Sequence, residues 1–410
     1  MSAVPLAGAS SPASSTPVRS RIIIVVCFLV ALIDGYDTLM LSFIAPLISK
    51  EWAIPPGAFG NIFAAGFAGA AIGAFTIGAA ADRFGRRNLL FLSIVISGVL
   101  TSACAWSDGP PQLMLLRFLS GLGLGGAIPT VSALAAAHAR PDRRTVAVSR
   151  MFLGFPIGAI AGGAITAALM HVVGWRGIFI GGGIVTLLLL PLSLVVTDAR
   201  NGAPAGEEAV RSTRPLSKLV ADGRLPGTVL LCAATFLILL VSYFLISWTP
   251  TVLTLNGMSP QRAALAAVVL NVGGVVGVLG MSFVIANRSP FRPIALSLGV
   301  CAVLIPIFGF FVAASGAAAF LLIFLLGLLL IGGQMNMPAL CVHFFPAEVR
   351  ATGVGLSMAV GRLGSIAGPL LGGILVSAHL AWSQLFLLAA LPTIAAAVAM
   401  SFIGRTSRRG

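Results

Sequence analysis

Long apolar runs separated by short clusters of charge dominate the chain. A spanning helix needs roughly 20 mostly apolar residues. Twelve runs qualify, at about 22–48, 58–81, 89–107, 112–137, 146–170, 176–197, 226–251, 262–286, 293–313, 317–342, 353–377 and 382–404. They are too long for the strands of a membrane barrel, which need only about 10 residues and alternate in polarity. The pattern predicts an all-α integral membrane protein with twelve transmembrane helices.

The polar connections give the orientation. One alternating set holds nearly all the loop arginines, including Arg83, Arg86, Arg87, Arg140, Arg143, Arg144, Arg288, Arg292 and Arg350. The other holds only Lys50, Arg176 and Arg262. Lys and Arg concentrate on the cytoplasmic side. Both termini are therefore expected inside, in a multi-pass protein of the cell inner (plasma) membrane. Residues 1–20, rich in Ser, Pro and Ala, read as a disordered tail, and 405–410 as a second tail. The longest hydrophilic stretch, about 198–225, reads as a cytoplasmic linker between two six-helix bundles, 21–197 and 226–404. Two bundles facing a shared cavity is a transporter arrangement. A weak internal repeat supports it: "RPDRRTVAVSRMFLGFPIGAIAGG" (140–163) and "FPAEVRATGVGLSMAVGRLGSIAGPLLGG" (345–373) follow the fourth and tenth runs.

Composition removes other classes. The chain is 58% hydrophobic and only 9% charged, too little charge to cover a soluble protein of this length. A net charge of +14 would suggest nucleic acid in a soluble protein. Here the charge marks topology, and no nucleic-acid partner is expected. The five cysteines all fall in apolar runs without metal-ligand spacing, and the four histidines lie at or near run ends. No phosphate loop of the G-x-x-x-x-G-K type occurs, and "GLGLGG" (121–126) lies inside a span as helix packing. No metal, cofactor or enzymatic constellation is expected. Trp52, Trp175, Trp248 and Trp382, at run ends, read as interfacial belt residues.

Four charges fall deep inside spans: Asp34, Asp37, Arg117 and Arg362. An ionised group there costs at least about 2.5–3.5 kcal/mol, so each is a functional candidate. Asp34 and Asp37 are spaced i,i+3 and share a helix face. Two carboxylates this close in a partly dry site do not both ionise readily, which suits a proton carrier. The alternative is a polar pair capping a helix break near Gly35. Depth along oppositely running spans favours pairing Asp37 with Arg117. Protonating Asp37 would then release Arg117 and couple a proton to movement. A static ion pair is the other reading. No acid of the second half sits at the depth of Arg362, which would bind a substrate carboxylate or be neutralised by helix ends. Tyr243, Asn271, Gln334 and Asn336 lie well inside spans, as hydrogen-bonding groups for a substrate or as helix–helix glue.

These residues also carry a resemblance. "GAAADRFGRRNLL" (78–90) is similar to the signature loop of the major facilitator superfamily, at Asp82, Arg83, Gly85, Arg86 and Arg87. "LRFLSGLGLGGA" (116–127) is similar to its span-four motif, whose arginine, here Arg117, is implicated in proton coupling. The resemblance implies the major facilitator fold and a conformational clamp on the cytoplasmic side. Arg144, Glu348 and Arg350, in the loops after spans four and ten, are counted with that clamp. Within the superfamily the chain resembles the aromatic acid:proton symporters. The segments are "FLVALIDGYD" (28–37), "SWTPTVL" (247–253), "GGQMNMPAL" (332–340), "RATGVG" (350–355) and "VGRLGSIAGPLLGG" (360–373). The paired D-G-x-D acids are the most specific feature and imply roles for Asp34, Asp37, Arg117 and Arg362. There are departures. No acid lies between Asp108 and Pro141, where relatives carry a Glu. The second-half signature loop is reduced to "ANRSPFRP" (286–293), and Arg150 stands where relatives are apolar.

The reading is a proton-coupled symporter importing a small aromatic or related organic carboxylate, working as a monomer in the lipid bilayer. The runner-up is a proton-driven efflux antiporter for organic or amphipathic compounds, faintly supported by "GFPIGAIAGG" (154–163).

Overall fold

The computed structural model describes residues 17–140, 144–195, 225–285, 289–312, 316–346, 349–378 and 380–406. Most of the expected tails and linker lies outside the described residues. The first helix already begins at Pro17, the helix after the linker begins at Leu225, and the last runs to Thr406.

Among the described residues every regular element is helical. In lipid a helix satisfies its own backbone hydrogen bonds, which water cannot do there. The first part contains α1 (Pro17–Glu51), α2 (Phe59–Phe84), α3 (Arg86–Ala103), α4 (Pro110–His138), α5 (Arg144–Phe152), α6 (Gly154–Leu187) and α7 (Leu190–Val195). The second contains α8 (Leu225–Leu255), α9 (Pro260–Ile285), α10 (Phe291–Phe311), α11 (Ala317–Leu326), α12 (Gly332–Met335), α13 (Met337–Phe344), α14 (Arg350–Ser377) and α15 (Trp382–Thr406).

Eleven stretches of the described residues are long and apolar enough to cross a membrane, one fewer than the sequence predicts. The difference lies in Ala147–Leu194, which runs on for 48 residues. At 1.5 Å per residue that is about 72 Å, more than twice the roughly 30 Å hydrocarbon core. Inside it Gly174 takes φ 64 and ψ −179, a bend that glycine adopts without Cβ strain. The run expected at 317–342 is interrupted too. A π-helical turn spans Gly327–Ile331, and Asn336 leaves helical geometry with φ −92 and ψ 0. Pro338 has no N–H for the helix ladder, which favours a break here.

Close helix approach depends on small residues. The backbone of Phe155 on α6 lies where a Cβ on Gly35 of α1 would stand, and that of Leu32 does the same to Gly158. Gly364 and Gly368 of α14 meet the backbone of α8 at Phe236 and Leu240 in the same way. Such contacts let van der Waals packing replace the hydrophobic drive that lipid cannot supply. α2 packs on α4, α3 on α4 and α6, α8 on α14 and α15, and α10 on α15. The first part meets the second through α6 with α9, α2 with α14, and α1 with α8.

Two tryptophans expected in the interfacial belt are core residues instead. Trp248 is 1% exposed, lies edge-on to Phe63 of α2 at 5.8 Å, and donates Nε1–H to the carbonyl of Pro369 at 3.1 Å. Trp175 is 3% exposed, and its Nε1–H donates to Glu51 at 2.6 Å. Their position at the end of an apolar run is the same in both cases; tertiary neighbours moved them inside.

Because these approaches leave no room for a side chain, Gly158→Leu and Gly364→Leu should each destabilise the protein by about 1–3 kcal/mol or more. Gly181→Leu, where an added Cβ meets nothing, should leave it unchanged. Thermal unfolding in detergent, followed by size-exclusion fluorescence, reads the difference.

Candidate functional site

α1 brings the acids to the centre of the molecule. It is continuous through Gly35, so the helix break considered for that glycine is absent, and the glycine serves the contact with α6. Asp37 is 2% exposed. Its Oδ1 accepts a hydrogen bond from Thr101 Oγ1 of α3 at 2.8 Å and one from Arg117 Nη1 of α4 at 3.2 Å. Arg117 Nη2 donates to the backbone carbonyl of Asp37 at 3.1 Å. Arg117 is 5% exposed and lies against Gly66 of α2. Its Nε has no partner. One buried carboxylate thus ties three helices together. A buried pair is tolerable because the geometry supplies hydrogen bonds as well as opposite charge. Nothing in the sequence singled out Thr101, since a threonine in a span is ordinary.

Asp34, one turn earlier, is treated differently. It is half-buried and makes no hydrogen bond among the described residues. The charges it senses are Arg362 of α14 and Asp37. Arg362 is exposed although it lies well inside a span, and its guanidinium makes no hydrogen bond or ion pair among the described residues. The backbone carbonyl of Arg362 accepts from Ser365 Oγ at 2.7 Å. Tyr243 of α8 senses both Asp34 and Arg362, is 8% exposed, and has no hydrogen-bond partner for its hydroxyl among the described residues. Its ring lies edge-on to Phe67 of α2, with centroids 4.8 Å apart. Counting acids within the second half had found no counter-ion for Arg362. The structure supplies one from the first half. Phe67 was also missed, because one phenylalanine in an apolar span carries no signal.

Two of the three amides are bonded to backbone carbonyls of their own segments. Asn271 Nδ2 donates to Ala267 O of its own helix at 2.9 Å. Asn336 Nδ2 donates to Gly332 O at 2.8 Å, and its Oδ1 accepts from Ser282 Oγ of α9 at 3.3 Å. Gln334 is 7% exposed and its Oε1 has no partner.

In the signature loop, Gly85 turns the chain between α2 and α3 with φ 91. Arg83 is exposed, its guanidinium 5.4 Å from the ring centre of Phe84. Arg86 and Arg87 are half-buried at the start of α3. Arg350 Nε donates to Phe345 O at 3.2 Å, closing the turn before α14. Asp82 and Arg144 lie on α2 and α5 with side chains outside the described residues, as is Glu348 altogether.

The two acids predict different mutational costs. Arg117→Ala strands a buried carboxylate and should cost about 3–5 kcal/mol. Thr101→Val removes one donor to a charge, worth about 1.5–3 kcal/mol. Arg362→Ala breaks no direct contact and should leave stability nearly unchanged. Thermal unfolding of the three variants in detergent checks this order.

Comparison with known proteins agrees with the architecture. Residues 27–369 match the model of the Major Facilitator Superfamily. The chain is 33% identical to the gallate transporter of Pseudomonas putida, over 95% of this chain and 92% of that protein. It is 36% identical to the 3-(3-hydroxy-phenyl)propionate transporter of Escherichia coli K12, over 88% of each. Among solved structures, a D-xylose-proton symporter superposes with a TM-score of 0.72 at 19% identity, covering 91% of this chain and 97% of that one. With the match extending over most of its length, and an all-helical fold shared with transporters of that family, the chain belongs to the Major Facilitator Superfamily.

Proposed function

We propose that this protein imports a small aromatic or related organic carboxylate together with protons. The observation that carries the reading is the Arg362 guanidinium deep in a span, without a hydrogen bond or ion pair among the described residues and sensed by Asp34 and by Tyr243, whose ring pairs with Phe67. A cation placed there at such cost calls for an anion. The aromatic pair suits a ring attached to it. The names of the gallate and hydroxyphenylpropionate relatives support the same substrate class.

The architecture we propose is twelve spans in two six-helix bundles, 21–197 and 226–404, either side of the 198–225 linker. Both termini lie on the cytoplasmic side of the cell inner membrane, and the working unit is a monomer. The bend at Gly174 supports reading Ala147–Leu194 as two spans. The turn holding Gly57 and the start of α2 at Gly60 touch the end of α14 at Gly373, which with this orientation closes the outer side.

The proton enters at the Asp34/Asp37 pair. Asp37 holds Arg117 until it is protonated. Its release lets α1 and α4 move as one bundle rocks against the other. Arg362 and Tyr243 receive the carboxylate end of the substrate, with Gln334, Asn271 and Asn336 as further polar groups of the cavity region. The Asp82–Arg87 loop, with Arg144, Glu348 and Arg350, clamps the cytoplasmic ends when the outer side opens. An anion entering a negatively charged cell needs at least one proton to remove the cost of its charge.

Proteoliposomes with an alkaline interior should accumulate labelled 4-hydroxybenzoate or protocatechuate, and a protonophore should abolish the accumulation. Asp37→Asn should lose gradient-driven accumulation. Uptake indifferent to the protonophore would refute the coupling, and net extrusion would favour the antiporter.

A further inference from the structure

We propose that Asp34 and the substrate's own carboxylate are alternative counter-ions for Arg362, so that the substrate is admitted only when Asp34 carries a proton. This rests on the carboxylate-import reading above and specifies how its binding site excludes an unprotonated carrier.

The argument begins with the contrast between the two acids of α1. Asp37 is supplied with two side-chain donors and its charge is matched by Arg117. Its charge is already matched, so it needs no ligand as counter-ion. Asp34 is half-buried, accepts no hydrogen bond among the described residues, and senses Arg362 without touching it. The Arg362 guanidinium likewise makes no hydrogen bond or ion pair among the described residues. Opposite charges that sense each other without a hydrogen bond or ion pair, among the described residues, are each left able to take another partner.

Among the described residues, Arg362 is the cation that Asp34 senses. Asp34 faces Arg362 from α14 and Tyr243 from α8, with Asp37 one turn further along α1. Behind Asp37, α4 contributes Arg117, already engaged. α6 meets this stretch of α1 through Phe155 and Gly158, and α5 carries Arg150, which is exposed.

A guanidinium can bind one carboxylate with two parallel hydrogen bonds. A substrate carboxylate seated on Arg362 while Asp34 is ionised would put two negative charges against one positive charge inside a membrane span. Like charges at such range disfavour joint ionisation, and a proton on Asp34 relieves the conflict. The balance is simple. The empty site holds the Asp34 carboxylate and the Arg362 guanidinium. The loaded site holds a neutral Asp34 carboxyl, the same guanidinium and the substrate carboxylate. One proton and one anion have entered, and the net charge at Arg362 is the same in both states. Neither the empty nor the loaded site then carries an excess charge through the bundle movement. The Tyr243 hydroxyl, unpartnered and nine-tenths buried, is placed to donate to whichever carboxylate Arg362 holds. The Tyr243 ring is paired edge-on with Phe67.

The test is calorimetric titration of purified protein with 4-hydroxybenzoate, in pairs of buffers with different ionisation enthalpies, between about pH 6 and 8.5, where its carboxylate stays ionised and its phenol protonated. Wild-type protein should take up close to one proton per ligand at the alkaline end, with affinity falling about tenfold per pH unit there. Asp34→Asn should bind without that uptake and without the fall in affinity. In proteoliposomes it should exchange labelled for unlabelled substrate yet fail to accumulate it. Arg362→Ala should lose binding. Wild-type binding whose affinity and proton uptake do not change with pH would overturn the proposal, and needs no variant to be folded. So would Asp34→Asn keeping the wild-type proton uptake. Wild-type protein that binds no aromatic carboxylate at any pH would instead refute the substrate reading on which the proposal rests.

Discussion

A charge inside a bilayer is stable only if something in the protein answers it, and this molecule answers its buried charges in two opposite ways. Around Asp37 the answer is complete: Thr101 and Arg117 donate to the carboxylate, and Arg117 also reaches the Asp37 carbonyl. Three helices, α1, α3 and α4, are thereby held in one register. Around Asp34 the answer is withheld. Its counter-charge, Arg362, comes from the other part of the chain and stays out of contact. The first arrangement ties helices together, and the second is the one our proposal assigns to an incoming anion and proton.

The packing explains how residues three positions apart on one helix come to such different surroundings. α1 presses against α6 through Gly35 and Gly158, which fixes its rotation. With that face fixed, Asp37 turns inward to α3 and α4, while Asp34 stands nearer the seam with α8 and α14. Along the same seam Phe67 meets Tyr243, and Phe63 meets Trp248. The small residues that let helices approach therefore also set where the ionisable groups point. Stability and function are linked through helix rotation more than through any single contact.

Local irregularities sit where long apolar helices would otherwise be uniform. Gly174 bends a run too long for one crossing. The segment from Gly327 to Pro338 leaves α-helical geometry twice, and within it Gln334 is buried with an unused acceptor. Gly85 makes the tight turn between two helices at the signature loop. In each case a glycine or a proline supplies freedom or loses a hydrogen bond at a point where the chain must change direction.

Much of this was open to inspection in the residues alone. Apolar runs of about membrane thickness, loop arginines on alternate sides and four charges inside spans follow from solvation in lipid, which acts residue by residue along the chain. The approach of Arg117 to Asp37 was legible as well, because depth can be counted along two helices of known direction. What could not be read is everything that depends on helix rotation and on which helices become neighbours. Thr101 and Phe67 look like any other span residues, Trp248 and Trp175 sit at run ends yet are buried, and the acid that senses Arg362 lies more than three hundred residues away in α1. Depth is a one-dimensional quantity that a sequence carries. The azimuth of a side chain, and the neighbour it meets there, is settled only when the helices pack.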